Sequence, residues 1–113
     1  MNDETILFQQ MSAQKQATFI QELKTDYRAV VLNYFSHPNV KPIENFTDKV
    51  FYSNIPVPQV IQIHMDLIDE FSKQLKIEGR SDEVLLDYRL TLIDILAHLC
   101  EMYRRKISKH SHV

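Results

Sequence analysis

The chain has 113 residues, a formal net charge of −2 and one cysteine. This length fits a single domain, the small charge excludes a global field for collecting nucleic acid or an anionic membrane, and one cysteine excludes an intrachain disulfide. The longest apolar stretch, residues 90–100, is broken by Asp94 and is too short to cross a bilayer, so we expect a soluble, cytoplasmic protein in a reducing compartment.

Turn-forming residues are scarce, with one glycine and four prolines in the whole chain. This scarcity argues against an all-β fold, because hairpin turns need residues that tolerate positive φ. All four prolines lie between residues 38 and 58, where they can separate helices without kinking them. We predict an all-α, four-helix bundle over residues 12–107, a disordered N-terminal segment at 1–11 and a C-terminal tail at 108–113.

The first two helices are predicted from apolar spacing and from their first residues. The first covers residues 12–35 with Ser12 as its N-cap, and the second covers residues 42–53 with Pro42 in its first turn. Apolar residues recur at spacings of three and four along both segments, which predicts one buried face on each helix. The predicted inward residues are Phe19, Leu23, Tyr27, Val30, Val31, Tyr34, Ile43, Phe46, Val50 and Phe51.

The third and fourth helices are predicted to form an antiparallel hairpin. The third covers residues 58–78 and ends at Gly79, in the usual position of a C-terminal glycine. Ser81 can cap a fourth helix over residues 82–107, which leaves a very short connection. His64 falls on the apolar stripe of the third helix, so we interpret it as a hydrogen-bonded core residue and not as a ligand.

The fourth predicted helix is apolar over more than half of its circumference. Such a helix is either central in a monomer or shared with a second chain, and we expect a homodimer that uses this helix. We define a first stripe, assigned to the dimer interface or the core, and a second stripe beside it. The first stripe is Leu85, Leu92, Leu96, Leu99 and Tyr103, and the second stripe is Leu86, Leu90, Ile93, Ala97 and Cys100.

A narrow polar strip separates the two stripes. His98 lies in its middle, and Asp94 and Glu101 lie one turn away on either side, where both carboxylates can favour the protonated imidazole. Two interpretations fit this pattern. The strip is either a solvated helix face with weak ion pairs or the polar floor of a groove that binds a partner segment. The strip consists of Asp87, Thr91, Asp94, His98, Glu101 and Arg105.

Catalytic and metal-binding interpretations fit the sequence less well. Cys100 and His98 point about 200° apart around one helix, so they cannot act together as nucleophile and base. The remaining histidines are scattered along the chain; His37 lies in a predicted loop and His64 on the third helix, so they do not form a zinc site with His98. A chain with one glycine cannot build a glycine-rich phosphate-binding loop. The basic residues at 104–109 are expected at a helix C-terminus on dipole grounds. We therefore expect no enzymatic activity, metal, cofactor or nucleic-acid partner.

Several long stretches of the chain resemble the C-terminal domain of the cyanobacterial circadian clock protein KaiA. The resemblance covers roughly residues 12–107 and implies a dimeric four-helix bundle without enzymatic activity. It also implies that the dimer captures the C-terminal tail segment of KaiC, stimulates KaiC autophosphorylation and is later sequestered in a complex with KaiB. The stretches are IHMDLIDEFSKQL (63–75), EGRS (78–81), LLDYRLTLID (85–94), HLCEMYRR (98–105), DYR (26–28) and NYF (33–35).

The resemblance also suggests the residues that bind the partner. The family's histidine in the motif His-Leu-Cys-Glu corresponds to His98, and the cysteine near the dimer groove corresponds to Cys100. We add Asp94 and Glu101 because they share the polar strip. Long family members carry a receiver-like domain and a linker before this bundle, so this sequence is either a short natural form or a piece of a long one. In long members, part of the contact with KaiB involves the linker. The alternative function is a helical, dimeric peptide-binding or scaffold module that activates no kinase.

Overall fold

A computed structural model describes residues 6–34 and 40–111, with side chains described as far as Lys109. The predicted all-α fold is confirmed, since these residues form α-helices and short 3₁₀ helices and no strand. The described ends of the first three helices lie within one residue of the predicted ends, and Phe35 lies outside the described residues. The helices are α1 (Ala13–Tyr34), α2 (Lys41–Tyr52), α3 (Val57–Ile77) and α4 (Arg89–Ser111).

The ends of α2 and α3 share one backbone motif. Gly79 has a φ of 69°, and the Arg80 N–H donates to the Leu75 carbonyl oxygen at 2.8 Å. Asn54 has a φ of 56°, and the Ile55 N–H closes α2 in the same way at 2.9 Å. Glycine and asparagine are the residues that adopt this left-handed conformation most readily. The predicted glycine terminus is confirmed, whereas the asparagine terminus was not anticipated.

The fourth α-helix begins later than predicted. Glu83–Tyr88 forms a connecting 3₁₀ helix, and the Ser81 hydroxyl accepts a hydrogen bond from the Glu83 N–H at 3.2 Å. At about 2 Å per residue this 3₁₀ helix is about 12 Å long. As a result, α3 packs mainly against α1 and the connecting 3₁₀ helix, whereas α4 packs mainly against α2. The predicted hairpin of the third and fourth helices is therefore wrong.

The four helices surround one apolar core. Its members come from all four helices, and three large side chains among them, Tyr27, Phe46 and Leu23, are fully buried. None of the described helices is both long and apolar enough to cross a membrane. The core consists of Leu23, Tyr27, Val30, Val31, Ile43, Phe46, Val50, Ile55, Val60, Ile63, Leu67, Ile95 and Leu99.

His64 lies at the edge of this core and is only 4% exposed. Its Nδ1 shares a hydrogen bond with the Tyr27 hydroxyl, at 2.6 Å, and the two rings meet edge to face. Burial lowers the pKa of His64 and raises the pKa of Tyr27, because both charged forms lose solvation. The prediction of a hydrogen-bonded core histidine is confirmed.

The described part of the N-terminal segment is a docked turn. Phe8–Gln10 forms a 3₁₀ helix, and Phe8 packs against the core. The Phe8 N–H donates to the Ser53 carbonyl oxygen at 2.8 Å, and the Gln9 side chain donates to the Asn54 carbonyl oxygen at 2.9 Å. Disorder was expected for residues 1–11, but the polar groups of the α2–α3 corner give Phe8 and Gln9 specific partners.

Candidate partner-binding groove

The two apolar stripes of the fourth helical segment have different surroundings. Leu85 and Leu99 of the first stripe are buried, and its other members are half-buried against the rest of the bundle. The second stripe faces solvent along its whole length: Leu86 is 57% exposed and Ile93 is 60% exposed. The first stripe therefore stabilises the single chain, whereas the second is an uncovered apolar surface.

Cys100 belongs to the uncovered surface. Its thiol is free and exposed, so in the single chain Cys100 is not part of the buried core, although its stripe is apolar. The reason lies in the packing: α2, with a smaller contribution from α1, covers α4 from one side only. Helical periodicity places Cys100 correctly among apolar residues, but it does not say whether those residues have a neighbour.

The polar strip is shorter than the sequence predicted. Thr91 is fully buried, and its hydroxyl has no hydrogen-bond partner among the described residues. Asp87 precedes α4, in the connecting 3₁₀ helix, and is exposed. The strip therefore begins at Asp94 and continues through His98 to Glu101, all three of which are half-buried.

His98 and Asp94 contact each other directly. The His98 Nδ1 lies 3.0 Å from the Asp94 carbonyl oxygen and 3.4 Å from the Asp94 carboxylate oxygen Oδ1. A carbonyl oxygen can only accept a hydrogen bond, so Nδ1 must carry the proton. In the neutral ring Nε2 is then the acceptor, on a side chain that is 40% exposed. A partner would therefore meet this histidine with a hydrogen-bond donor when the ring is neutral.

Glu101 does not flank His98 as predicted. Its carboxylate accepts two hydrogen bonds from the Arg104 guanidinium, at 3.0 and 2.6 Å, and a third from Arg105 at 3.2 Å. The Arg104 hydrogen bonds, reinforced by both positive charges, lower the pKa of Glu101 to about 2. The prediction was wrong because a charged, two-pronged pairing three residues along the helix is stronger than a contact with a half-exposed imidazole.

Asp94 also joins α4 to α1. The Tyr34 hydroxyl donates to the Asp94 carboxylate oxygen Oδ2 at 3.3 Å, and burial together with the nearby Asp94 charge raises the pKa of Tyr34. Sequence reasoning placed Tyr34 only in the core. The signal that could have identified it is a phenol in the last turn of α1, where the apolar ring can face the core while the hydroxyl reaches its edge.

The same carboxylate lines a cleft of about 420 Å³ between the end of α1, the start of α2 and the side of α4. Among the four residues predicted to bind the partner, Asp94 lines this cleft, whereas His98, Cys100 and Glu101 do not. The lining consists of Val30, Asn33, Tyr34, Val40, Pro42, Ile43 and Asp94.

No metal-binding cluster is present among the described residues: no three histidine, cysteine or acidic side chains there are grouped to hold an ion. Two of the chain's histidines, His37 and His112, lie outside that part of the chain, and the His110 side chain is not described. His64 is occupied by Tyr27, and His98 by Asp94.

Comparison with known proteins identifies the family. A family model described as the KaiA C-terminal domain matches residues 1–110. The chain belongs to the KaiA C-terminal domain family. The circadian clock oscillator protein KaiA of Nostoc sp. PCC 7120 is 59% identical over 96 residues, which cover 83% of this chain and 94% of that protein. The KaiA of Synechococcus elongatus is 54% identical over 94 residues, which cover 80% of this chain but only 33% of that protein.

Solved structures agree with the fold. A crystal structure of KaiA from PCC 7120 has a TM-score of 0.70 and 56% identity, over 79% of this chain and 92% of that one. The crystal structure of the C-terminal domain of KaiA from Thermosynechococcus elongatus BP-1 has a TM-score of 0.75 and 52% identity, over 87% of this chain and 94% of that one. The chain is therefore an all-α, four-helix member of a family of circadian clock proteins.

Proposed function

We propose that the chain is a homodimeric, non-enzymatic activator in a cyanobacterial circadian clock, which binds the C-terminal tail segment of KaiC and stimulates KaiC autophosphorylation. Family membership supports the clock role. The observation that carries the binding role is the His98–Asp94 pair, half-buried beside the packed core on one side and an uncovered apolar stripe on the other. Such a surface gives a partner segment both apolar contact and polar register.

The second stripe supports the dimer. Leu90 is 51% exposed and Ile93 60%, and they lie on one face of α4 with Cys100. Covering apolar area is favourable by roughly 25 cal/mol per Å², and a two-fold symmetric copy covers the same patch on both chains at once. A second chain seated here also supplies the groove with its second wall, because the side chains around Asp94 supply only the first.

Activation by this dimer needs no chemistry of its own. If the KaiC tail segment exchanges between a buried and an exposed state, a protein that binds only the exposed state shifts the equilibrium by its differential affinity. His98 and Asp94 act as recognition groups in this scheme, with Cys100 in the wall of the groove. Glu101 acts indirectly, by holding Arg104 and Arg105 beside the strip. Later sequestration in a KaiB-containing complex completes the proposal.

A phosphorylation assay with purified KaiC, combined with sedimentation, tests this function. The chain should sediment as a dimer and raise the phosphorylated fraction of KaiC, and Ile93→Glu should abolish both properties. Ile77→Glu is the matched control, because Ile77 is 80% exposed at the end of α3, outside the second stripe. Tail binding without stimulation would favour the scaffold alternative, and a monomer that stimulates KaiC fully would disprove the dimer.

A further inference from the structure

The cleft beside Asp94 combines a mostly apolar wall with a carboxylate. Most of its wall is apolar, with Val40 and Pro42 from the start of α2 facing the end of α1. Among the described residues of the lining, Asp94 is the one with a charged side chain, and it is half-buried. A carboxylate in such surroundings loses part of its solvation, and a cation on a partner compensates for that loss by pairing with the negative charge.

The existing partners of Asp94 leave room for such a cation. Tyr34 donates to Oδ2 at 3.3 Å, and the His98 Nδ1 lies 3.4 Å from Oδ1 while making its shorter bond to the backbone carbonyl. Each carboxylate oxygen has two lone pairs, so both oxygens can accept a further bond. Neither existing contact is a full ion pair of the kind that Glu101 makes with Arg104.

We propose that the cleft binds one lysine or arginine side chain of the captured KaiC tail segment, and this inference rests on the proposed function. Lysine and arginine combine an apolar stem with a charged head, which matches walls of Val40 and Pro42 around the Asp94 carboxylate. One carboxylate with a phenol is too small a ligand set for a divalent metal ion. The occupant is therefore a basic side chain.

The position of the cleft fits a segment that also meets His98. Asp94 and His98 are one helical turn apart, about 6 Å along the axis, and they are in direct contact. A tail lying along the strip can therefore place a donor on His98 and a basic side chain in the cleft. The cleft then sets the register of the tail, which the apolar second stripe cannot do.

A double-mutant cycle tests the proposal. Binding of the KaiC tail peptide, and of versions in which each lysine or arginine in turn is replaced by norleucine, is measured for the wild type and for Asp94→Asn. Asp94→Asn should weaken the unmodified peptide about tenfold or more, as expected when a charged hydrogen bond is lost. One norleucine peptide should show a similar loss with the wild type and almost none with Asp94→Asn.

Two further variants isolate the charge. Asp48→Asn removes an exposed carboxylate of α2 outside the cleft lining and should leave affinity unchanged. Tyr34→Phe removes the hydroxyl but keeps the charge, so it should retain the preference for the basic residue. Circular dichroism and the melting temperature of each variant confirm that the bundle is folded.

The outcomes separate the two proposals. The cleft assignment would be overturned if the unmodified peptide binds tightly but every norleucine replacement changes the affinity of the wild type and of Asp94→Asn by the same factor. That result would leave the proposed function standing. No binding of any peptide by the folded wild-type dimer would overturn both. Coupling confined to one basic residue supports the assignment.

Discussion

His64 and His98 both form a hydrogen bond through Nδ1, but His64 is buried and His98 is partly exposed to solvent. His64, between α1 and α3, is 4% exposed and is paired with the buried Tyr27 hydroxyl. The His98 side chain on α4 is 40% exposed and is paired with Asp94, which in turn meets Tyr34. Residue type and helical position are similar, so the difference comes from what packs on each helix. The first pair serves the fold, and the second is placed to serve a partner.

The largest expected effect on the stability of the fold comes from replacing Tyr27, the partner of the buried His64. Tyr27→Ala should lower the free energy of unfolding by about 3–5 kcal/mol, because a fully buried aromatic ring is lost and His64 loses its partner. Urea denaturation measures this change. Tyr52→Ala, at a tyrosine that is 58% exposed, should cost less than about 1 kcal/mol. Equal losses for the two variants would show that the Tyr27–His64 pair is not central to stability.

The second prediction concerns the other histidine. His98→Ala should change the free energy of unfolding by less than about 0.5 kcal/mol, because the side chain is partly solvated and lies at the edge of the bundle. It should weaken KaiC tail binding about tenfold or more and abolish the stimulation of autophosphorylation. Peptide titration and the phosphorylation assay measure these effects. Full stimulation by the variant would remove His98 from the site.

The smallest effect is a pH dependence from His64. Burial lowers its pKa, so the unfolded chain binds the proton more tightly than the folded chain does. This contribution to stability is complete above the unfolded pKa of about 6.5 and is lost as the pH falls below it toward the lower folded pKa. Unfolding free energies measured between pH 7.5 and 5.5 should therefore fall, by at most about 1.4 kcal/mol per pH unit from this group.

His64→Gln provides the control for that slope. It removes the titrating ring but keeps a side chain that can hydrogen-bond to Tyr27, so the fall across this pH range should become smaller. A wild type whose stability is flat from pH 7.5 to 5.5, or a variant with the same slope as the wild type, would contradict the assignment of the slope to His64.

Local sequence information predicted the described ends of α1, α2 and α3 well, together with the glycine terminus at Gly79 and the buried role of His64. Each of these depends on interactions within a few residues or on membership of a strongly periodic stripe. The connecting 3₁₀ helix was missed, because Ser81 followed by acidic residues is equally suitable for starting either type of helix.

At the groove, the sequence alone identified Asp94 and His98 as neighbours, because residues four apart share a helix face. It did not identify Tyr34 as the third member, because a contact between α1 and α4 depends on how the helices pack. Residue spacing allows Glu101 to reach His98, Arg104 or Arg105, and the structure shows contacts with the two arginines.

The sequence by itself determined that the chain is helical, where most helices begin and end, and that its last helix carries two apolar stripes beside a polar strip. Only the tertiary structure decided that the first stripe is covered, that Cys100 and the second stripe are exposed and that Thr91 is buried. The physical reason is that hydrophobic periodicity is a property of one helix, whereas burial depends on which neighbours pack against it and from which side.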